Sequence, residues 1–290
     1  MAIRPRRSVL YMPGSNQRAL EKARGLPVDT LIFDLEDSVA PEAKLQARQQ
    51  VVDCIAEGGY GKRELVVRVN GLDSDWGEED LKTIAHSGAN AICLSKLESA
   101  VEVEEAIRIL DSVNTPTELD LWLMAETAHG VLNINELATA HPRVSVIMMG
   151  TSDLAKELRI RHSRDRVGLL HALSQCVMAA RANNLDIIDG VFIDLNDQAG
   201  FRAHCEQGAA LGFDGKSVIH PKQLEIANEV FSPSEDELSR ARQIFTAWQQ
   251  AEENGQGVVL VDGKLVERLH VDEAIRHYKI AETIQELENS

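Results

Sequence analysis

A strand, a loop and a helix follow one another eight times along most of this chain, and this repetition constrains the fold more than any other feature. The predicted strands are apolar runs, and segments such as Gly14-Ser15-Asn16 break them before each helical stretch. Strands separated by helices pair in parallel, and eight such units close into a barrel without exposed edges. The predicted strands are Ser8–Pro13, Thr30–Leu35, Glu64–Val69, Asn90–Leu94, Leu119–Ala125, Val144–Met149, Ile187–Ile193 and Gly215–Ile219.

The alternative architecture is an open doubly wound sheet. The sequence lacks both G-x-G-x-x-G after the first strand and G-x-x-x-x-G-K-[ST], which are the usual nucleotide-binding motifs of such sheets. We therefore predict an α/β protein with a (β/α)8 TIM barrel over residues 1–231. Residues 232–290 predict a helix–hairpin–helix lid, because Ser234 and Glu237 form a capping box and Asp262-Gly263 is typical of a tight hairpin turn. We expect this small lid to pack on the barrel or on a neighbouring subunit.

The net charge and the cysteine pattern limit which binding partners and which cellular compartment we expect for this protein. The formal net charge is -16, which argues against nucleic acid or an anionic membrane as a partner. The four cysteines show no CxxC pair and no zinc spacing, so we interpret them as reduced, mostly buried thiols. With no secretory leader and no apolar run of membrane-spanning length, the expected location is the cytoplasm.

Carboxylates follow several predicted strands at the points where they end. Glu126 closes the fifth strand and Asp153 lies just beyond the sixth. Neighbouring strands lie about 4.8 Å apart, so the two acids could share one hard cation; alternatively, both cap or pair with nearby loops. Glu36 and Asp37 follow the second strand beside Asp34, and such close like charges predict a nearby metal or cation, unless they mark only a helix start.

Two basic residues also lie at strand ends. Arg68 interrupts the third strand and is either a structural ion-pair partner or a clamp for a carboxylate or oxyanion; we favour the clamp. Lys96 follows the fourth strand and could reach a phosphate or an acid of the site. A Schiff-base role for Lys96 is possible, but so many acids would raise its pKa and oppose it.

Backbone amides complete the predicted site. Gly150, Thr151 and Ser152 precede Asp153 at a helix start suited to a substrate carboxylate, and Asn16 with Arg18 and Lys22 forms a similar anion platform. Neither G-x-S-x-G nor H-E-x-x-H occurs, which argues against serine hydrolysis and zinc catalysis. Oxygen ligands favour Mg²⁺, so the residues predict metal-assisted carbon–carbon bond chemistry or hydrolysis on a small carboxylate substrate.

Several motifs in order resemble the citrate lyase beta subunit family, which includes malyl-CoA and citramalyl-CoA lyases. The resemblance covers nearly the whole chain. Its motifs are Arg7-Ser8-x-Leu10-x-x-Pro13-Gly14-x-Asn16, Phe33-Asp34-Leu35-Glu36-Asp37-Ser38-Val39, Arg68-Val69-Asn70, Ala125-Glu126-Thr127 and Gly212-Phe213-Asp214-Gly215-Lys216-Ser217-x-Ile219-His220-Pro221.

The resemblance implies a homotrimer or hexamer that binds Mg²⁺ through Glu126 and Asp153. It implies cleavage or formation of a 3-hydroxyacyl-CoA thioester such as malyl-CoA or citramalyl-CoA, giving acetyl-CoA and a 2-oxo acid. Arg68 would polarise the thioester carbonyl and stabilise the enolate, while Glu36 and Asp37 would hold metal-bound waters. The matching coenzyme A contacts would be Arg7, Asn16, Arg18, Lys22 and Lys96.

Some positions depart from the family pattern. Glu267 stands where the free-standing CoA lyases carry a lid aspartate that acts as acid or base in the neighbouring subunit's site. Ser95 replaces a usual proline, and Thr127-Ala128-His129-Gly130 replaces Ser-Pro-x-Gly. Two alternatives follow: a thioesterase or malate synthase activity on the same scaffold, or a citrate lyase beta subunit that acts only with an acyl-carrier partner.

Overall fold

Eight parallel strands form a closed barrel in a computed structural model that describes residues 4–161, 163–255 and 257–289. Each strand pairs with the next one in sequence, and the eighth returns to pair with the first. The predicted (β/α)8 barrel is therefore confirmed. Its strands are β1 (Ser8–Pro13), β2 (Thr30–Asp34), β3 (Glu64–Arg68), β4 (Ala91–Leu94), β5 (Asp120–Ala125), β6 (Val144–Met149), β7 (Asp186–Asp189) and β8 (Gly215–Val218).

Helices separate the strands and let them pair in parallel. Ser99 illustrates how the sequence starts one of them, because it forms a capping box with Glu102 at the head of the fourth helix. The helices are α1 (Gln17–Ala23), α2 (Lys44–Glu57), α3 (Gly77–Ile84), α4 (Ala100–Ser112), α5 (Ala128–Leu132), α6 (Ile134–Thr139), α7 (Thr151–Glu157), α8 (Leu170–Ala182), α9 (Gln198–Leu211) and α10 (Leu224–Val230), with 3₁₀ turns at Pro41–Ala43 and Pro221–Gln223.

Apolar side chains from β1 to β7 meet in one buried cluster inside the barrel. Trp122 of this cluster is fully buried, and the Tyr11 hydroxyl reaches across from β1 to within 3.7 Å of the Met124 sulfur. Residues of strands that do not pair can meet in this way only inside the closed sheet. The packed interior fixes the strand ends, from which the polar loops of the site project.

Buried ion pairs occupy the end of the barrel where the strands begin. Arg7 precedes β1, and Nε and Nη2 on one edge of its guanidinium donate to the two carboxylate oxygens of Asp29, which precedes β2, at 2.9 and 2.8 Å. Arg6 pairs with Glu64 at the start of β3. The predicted contact of Arg7 with coenzyme A is at odds with this placement, because Arg7 is buried at the opposite end of the barrel from the active-site rim of such folds.

The seventh strand ends four residues earlier than predicted, at Asp189 rather than Ile193. The chain turns away here because the fully buried Lys216 binds both the Asp189 carboxylate at 2.9 Å and the Gly190 carbonyl. Arg166 donates to both oxygens of the same carboxylate at 2.7 and 2.8 Å. Burial alone would raise the pKa of Asp189, but Lys216 and Arg166 outweigh burial and lower it.

His204, on α9, is expected to weaken the fold in mild acid. Burial, together with Lys216 and Arg166, lowers its pKa to about 4. Because an unfolded histidine has a pKa of about 6.5, the unfolded chain takes up this proton first, and stability falls as the pH drops from about 6.5 towards 4. Because the ring is only partly shielded from solvent, which weakens the effect, the replacement His204→Gln should remove about 1–2 kcal/mol of the stability difference between pH 7 and pH 4.5, measured by urea unfolding.

The exposed residue His171 provides the control for this measurement. We expect His171→Gln to lose the same stability between the two pH values as the unmodified protein. An unchanged loss in His204→Gln would contradict the assignment.

The C-terminal residues form a second compact unit that begins at Phe231 and includes Arg4 and Pro5. It has the predicted helix–hairpin–helix order, and Ser234 and Glu237 form the predicted capping box. Trp248 and Val266 belong to a small core of this unit. Its elements are α11 (Glu235–Glu253), β9 (Val259–Val261), β10 (Lys264–Val266) and α12 (Arg268–Glu288).

Two further sequence predictions concern the chain as a whole. All four cysteines are buried and free, as expected for reduced thiols. Within the described ranges, none of the helices combines the length and the apolar character that crossing a bilayer requires.

Candidate active site

The acidic and basic residues predicted to act together follow the carboxyl ends of β2 to β6. Because all barrel strands are parallel, these ends lie on one rim, where barrel enzymes place their active sites. The barrel therefore brings the predicted residues to one side of the molecule. They are Glu36 and Asp37 after β2, Arg68 at the end of β3, Lys96 after β4, Glu126 after β5 and Asp153 in the first turn of α7.

Arg68 is held by a two-point ion pair with Asp34. The register of β2 and β3 sets these residues side by side, and Nε and Nη2 of Arg68 donate to Asp34 at 2.7 and 2.8 Å. The remaining Nη1 lies 2.9 Å from Oε2 of Glu36. Arg68 is thus both the structural partner and the candidate clamp, because one edge of its guanidinium is fixed and the other faces the site.

Arg68 and Asp34 both remain charged at neutral pH. Burial alone would raise the pKa of Asp34, but the hydrogen bonds from Arg68 outweigh it and lower the pKa. Burial opposes the charge of Arg68 too, yet Tyr11 and Asp34 raise its pKa well above the ordinary value. The guanidinium also lies 5.0 Å from the centre of the Tyr11 ring. The site therefore contains a permanent, buried cation in a fixed orientation.

Glu36 has one carboxylate oxygen without a hydrogen bond. Its Oε1 lies 3.1 Å from the Lys96 ammonium. Its buried Oε2 is within ion-pair distance of Arg68, but no described group donates to it with hydrogen-bond geometry. Burial raises the pKa of Glu36 even though Arg68 opposes the shift. A buried, incompletely satisfied carboxylate oxygen is suited to a further cation or water ligand.

Lys96 links two of these acids through different groups. Its ammonium pairs with Glu36 and lies 3.7 Å from Asp37, while its backbone N–H donates to Oε1 of Glu126 at 2.7 Å. The residue has a left-handed backbone with φ of 55°, which aims the amide at Glu126. Burial would lower the pKa of Lys96, but Glu36 outweighs burial and raises it, so the amine stays protonated and unsuited to a Schiff base.

Glu126 is buried among other acids. Burial and then the nearby Glu36 raise its pKa to about 7, and Asp153 acts in the same direction. The backbone of Gly150 passes very close, because a Cβ added there would lie 2.8 Å from Oε2 of Glu126. Glu126 is thus fixed between the Lys96 amide and Gly150. Asp153 is close enough to raise the pKa of its carboxyl.

This donor set fits a hard divalent cation such as Mg²⁺. Carboxylates outnumber basic groups on the rim, and the pKa of Glu126 is raised by burial and then by the negative charge of Glu36, which a cation would offset. No cluster of three or more His, Cys, Asp or Glu suited to a metal occurs in the described part of the chain. Mg²⁺ commonly binds through one or two carboxylates and retains several waters.

A second layer of side chains fixes the loop that carries Glu36. The Lys44 ammonium donates to the carbonyls of Leu35 and Glu36 at 2.8 and 2.6 Å, and Asn70 donates to the Leu35 carbonyl at 3.0 Å. Asn70 is in turn held by Asp80. Sequence reasoning did not identify Lys44 because it opens a helix ten residues beyond β2 and belongs to no motif.

Comparison with known proteins identifies the family. Residues 7–221 match the profile of the HpcH/HpaI aldolase/citrate lyase family. The chain belongs to this family. Among curated relatives, a (3S)-malyl-CoA thioesterase of Cereibacter sphaeroides is 49% identical over 97% of this chain and 96% of its own length. Citrate lyase subunit beta of Escherichia coli is 35% identical, covering 93% of this chain and 91% of that protein.

Solved structures support the same assignment. CitE of Mycobacterium tuberculosis, in complex with magnesium, acetoacetate and coenzyme A, is 27% identical, with a TM-score of 0.75 over 97% of this chain and 100% of that one. The fold of this citrate lyase family member is therefore shared along nearly its whole length.

The remaining predicted residues of this family member lie in three places. Asn16 caps α1 by accepting from the Ala19 amide, and Arg18 and Lys22 are exposed on that helix. Thr151 is buried and Ser152 exposed at the start of α7. Glu267 belongs to the second unit, where it is exposed and caps α12.

Replacing Lys44 with methionine is expected to lower the turnover of this citrate lyase family member by about 10- to 100-fold, the usual effect of removing an outer-shell partner. Methionine keeps most of the volume but releases the Leu35 and Glu36 carbonyls, so the Glu36 loop loses its anchor. The measurement is kcat and magnesium dependence by steady-state kinetics. Lys82→Met, which removes only exposed ion pairs on α3, is the control and should retain full turnover.

Proposed function

We propose that this protein is a magnesium-dependent enzyme that cleaves a 3-hydroxyacyl-CoA thioester of the malyl-CoA type. The observation that carries the proposal is the buried Arg68, with one edge fixed by Asp34 and the other facing the acids of the rim. A fixed cation at this point can stabilise an oxyanion formed from the thioester carbonyl. The relatives supply the substrate class, since they are named for malyl-CoA and citrate.

The residues that would hold the magnesium ion are Glu126 and Asp153, with Glu36 and Asp37 orienting its waters. When bound, the ion would act as a Lewis acid towards the substrate oxygens. CitE, determined with magnesium and coenzyme A, supports this choice of cofactor.

Hydrolysis is the favoured reaction. The thioesterase of Cereibacter sphaeroides is the more similar of the two kinds of relative, at 49% identity over nearly the whole chain. In this reaction a water oxygen bonds to the thioester carbon, the carbon–sulfur bond breaks, and the sulfur leaves as the coenzyme A thiol. Arg68 Nη1 would donate to the carbonyl oxygen as it gains negative charge.

Carbon–carbon cleavage is the second candidate, favoured by the citrate lyase beta subunits among the relatives. Here the 3-hydroxyl loses its proton to a base, the C2–C3 bond breaks, and acetyl-CoA leaves as an enolate that is then protonated. Arg68 would stabilise that enolate in the same way. Glu267 of a neighbouring subunit is the proposed base, which would require the homotrimer or hexamer expected for the family.

The coenzyme A arm is proposed to lie along the start of α1 and past Lys96. Arg18 and Lys22 are exposed there, beside a surface concavity that includes Asn16. Two exposed cations on one helical turn suit a phosphate group. Arg7 is omitted from this set because its guanidinium is engaged by Asp29 at the other end of the barrel.

Incubating the purified protein with (3S)-malyl-CoA tests both reactions at once. Free thiol and malate indicate hydrolysis, whereas acetyl-CoA and a 2-oxo acid indicate carbon–carbon cleavage. EDTA should abolish either activity and added Mg²⁺ restore it; full activity in EDTA would refute the metal role. An inert chain that becomes active with an added acyl-carrier protein would instead support the partner-dependent subunit.

A further inference from the structure

A cavity of about 330 Å³ lies beyond the ends of β6 and β7, and neither Glu126 nor Asp153 is among the residues that line it. We call it the β6–β7 pocket; Thr151, Leu169, Phe192, Ile193 and His204 are among its lining residues. Thr151 and Ser152, which line the pocket, directly precede Asp153 in α7. Its volume falls in the range of small-molecule sites.

The walls of the β6–β7 pocket include a patch of apolar and aromatic side chains. Phe192 packs edge-on against His204, with ring centroids 4.7 Å apart, and Leu169 is buried. Ile193 also lines the pocket and is 68% exposed. An exposed isoleucine beside a concave aromatic wall is a typical setting for an apolar ligand body.

Three arginines and two aspartates line the pocket, namely Arg161, Arg164, Arg166, Asp194 and Asp197, and Arg164 pairs with Asp197. The buried Arg166 and Lys216 share the single carboxylate of Asp189, and neither cation pairs with a second carboxylate among the described residues. Burial lowers the pKa of His204, and Lys216 and Arg166 lower it further although Asp189 and Asp197 oppose them. An unbalanced buried charge is unfavourable, so an anion in the pocket would be stabilised.

The arginines of the pocket differ in whether a carboxylate of the protein binds them. Arg166, which lines the pocket, has a left-handed backbone with φ of 51° and is held by Asp189 and Gln207. Such strained non-glycine residues cluster at ligand sites. Arg161 lines the pocket as well, is exposed, and forms no ion pair with any described residue. One guanidinium is therefore available to a ligand.

We propose that the β6–β7 pocket binds a small organic acid with an apolar or aromatic body, its carboxylate directed to the arginines and its body to Phe192. The acid is either a free molecule or the far end of an acyl thioester that carries an apolar group as well as a carboxylate, with its reacting carbonyl at the rim. Both sources share this chemistry, and competition with substrate separates them.

Phenylacetate is the probe, since it joins a carboxylate to one aromatic ring; 2-phenylethanol is its neutral analogue. We expect saturable binding of phenylacetate by calorimetry and at least about tenfold weaker binding of the alcohol. Ile193→Trp, which places bulk on an exposed lining position, should weaken phenylacetate binding by about tenfold, as should Arg161→Gln. Val101→Trp, at a similarly exposed apolar position on α4, is the control and should bind as the unmodified protein does.

No saturable binding, equal binding of the alcohol, or full binding by both pocket variants would overturn the proposal. Because this measurement needs no turnover, it remains decisive if the malyl-CoA assay fails. Where the assay succeeds, competitive inhibition by phenylacetate assigns the pocket to the acyl end of the substrate, and noncompetitive inhibition assigns it to a separate acid.

Discussion

Arg68→Lys is expected to lower kcat/KM for thioester cleavage by about 100- to 1,000-fold, the range for removing one donor to a developing oxyanion. Lysine preserves the positive charge but not the geometry. A single ammonium cannot bind both oxygens of Asp34 and also present a donor to the substrate, whereas the arginine fork does both. Steady-state kinetics with (3S)-malyl-CoA measures the loss.

A loss of folding stability must be distinguished from a loss of catalytic activity in this variant, because Arg68 is the ion-pair partner of the buried Asp34. Arg6→Lys is the matched control: Arg6 forms an equally buried ion pair with Glu64, but at the end of the barrel where the strands begin. Both variants should show a lowered urea midpoint, and only Arg68→Lys should lose activity in the folded protein. Activity of folded Arg68→Lys within about threefold of the unmodified enzyme would rule out the clamp.

Glu126→Gln and Asp153→Asn should each reduce turnover by about 1,000-fold or more, because each would remove an anionic ligand from the proposed two-carboxylate magnesium site. The amides preserve shape, and in Glu126→Gln the side-chain amide oxygen can still accept the Lys96 N–H that Glu126 accepts at 2.7 Å. Manganese binding, followed by electron paramagnetic resonance, should weaken in parallel with turnover. A loss of activity with unchanged metal binding would assign the two acids another role.

The control for the acid pair is Glu136→Gln on α6, which is exposed. It should leave both turnover and manganese binding intact. Without metal, Glu126→Gln should be no less stable than the unmodified protein at pH 8, because burial and Glu36 already disfavour the ionised carboxylate in the fold. A large loss of stability would mean that Glu126 holds the fold rather than a cation.

Much of the architecture and the position of the site could be predicted from the sequence. Alternating strands and helices dictate a parallel barrel, and polar residues after apolar strands must then lie on one rim. The approximate end of β5 was sufficient to place Glu126 there. Strand ends that depend on distant side chains were not predictable: β7 stops at Asp189 because Lys216, from the next strand, binds the Gly190 carbonyl.

Partner choice among the acids also required the structure. Asp34, Glu36 and Asp37 look alike in sequence, but only Asp34 lies opposite Arg68 in the β2–β3 register. Lys44 gave no signal because its target is two backbone carbonyls, which every residue carries. Arg7 was misplaced because a motif locates a residue along the chain and does not say which end of the barrel its side chain occupies.

The close packing around Gly150 restricts which residues a related protein can carry at this position. A Cβ at this position would lie 2.3 Å from Cβ of Glu126, a distance that no side chain can tolerate. The glycine and the glutamate therefore form a linked pair, 24 positions apart in the chain. In a relative with a larger residue at the equivalent of Gly150, either the backbone there or the β5 carboxylate must shift, so this one position reports on the geometry of the proposed cation site.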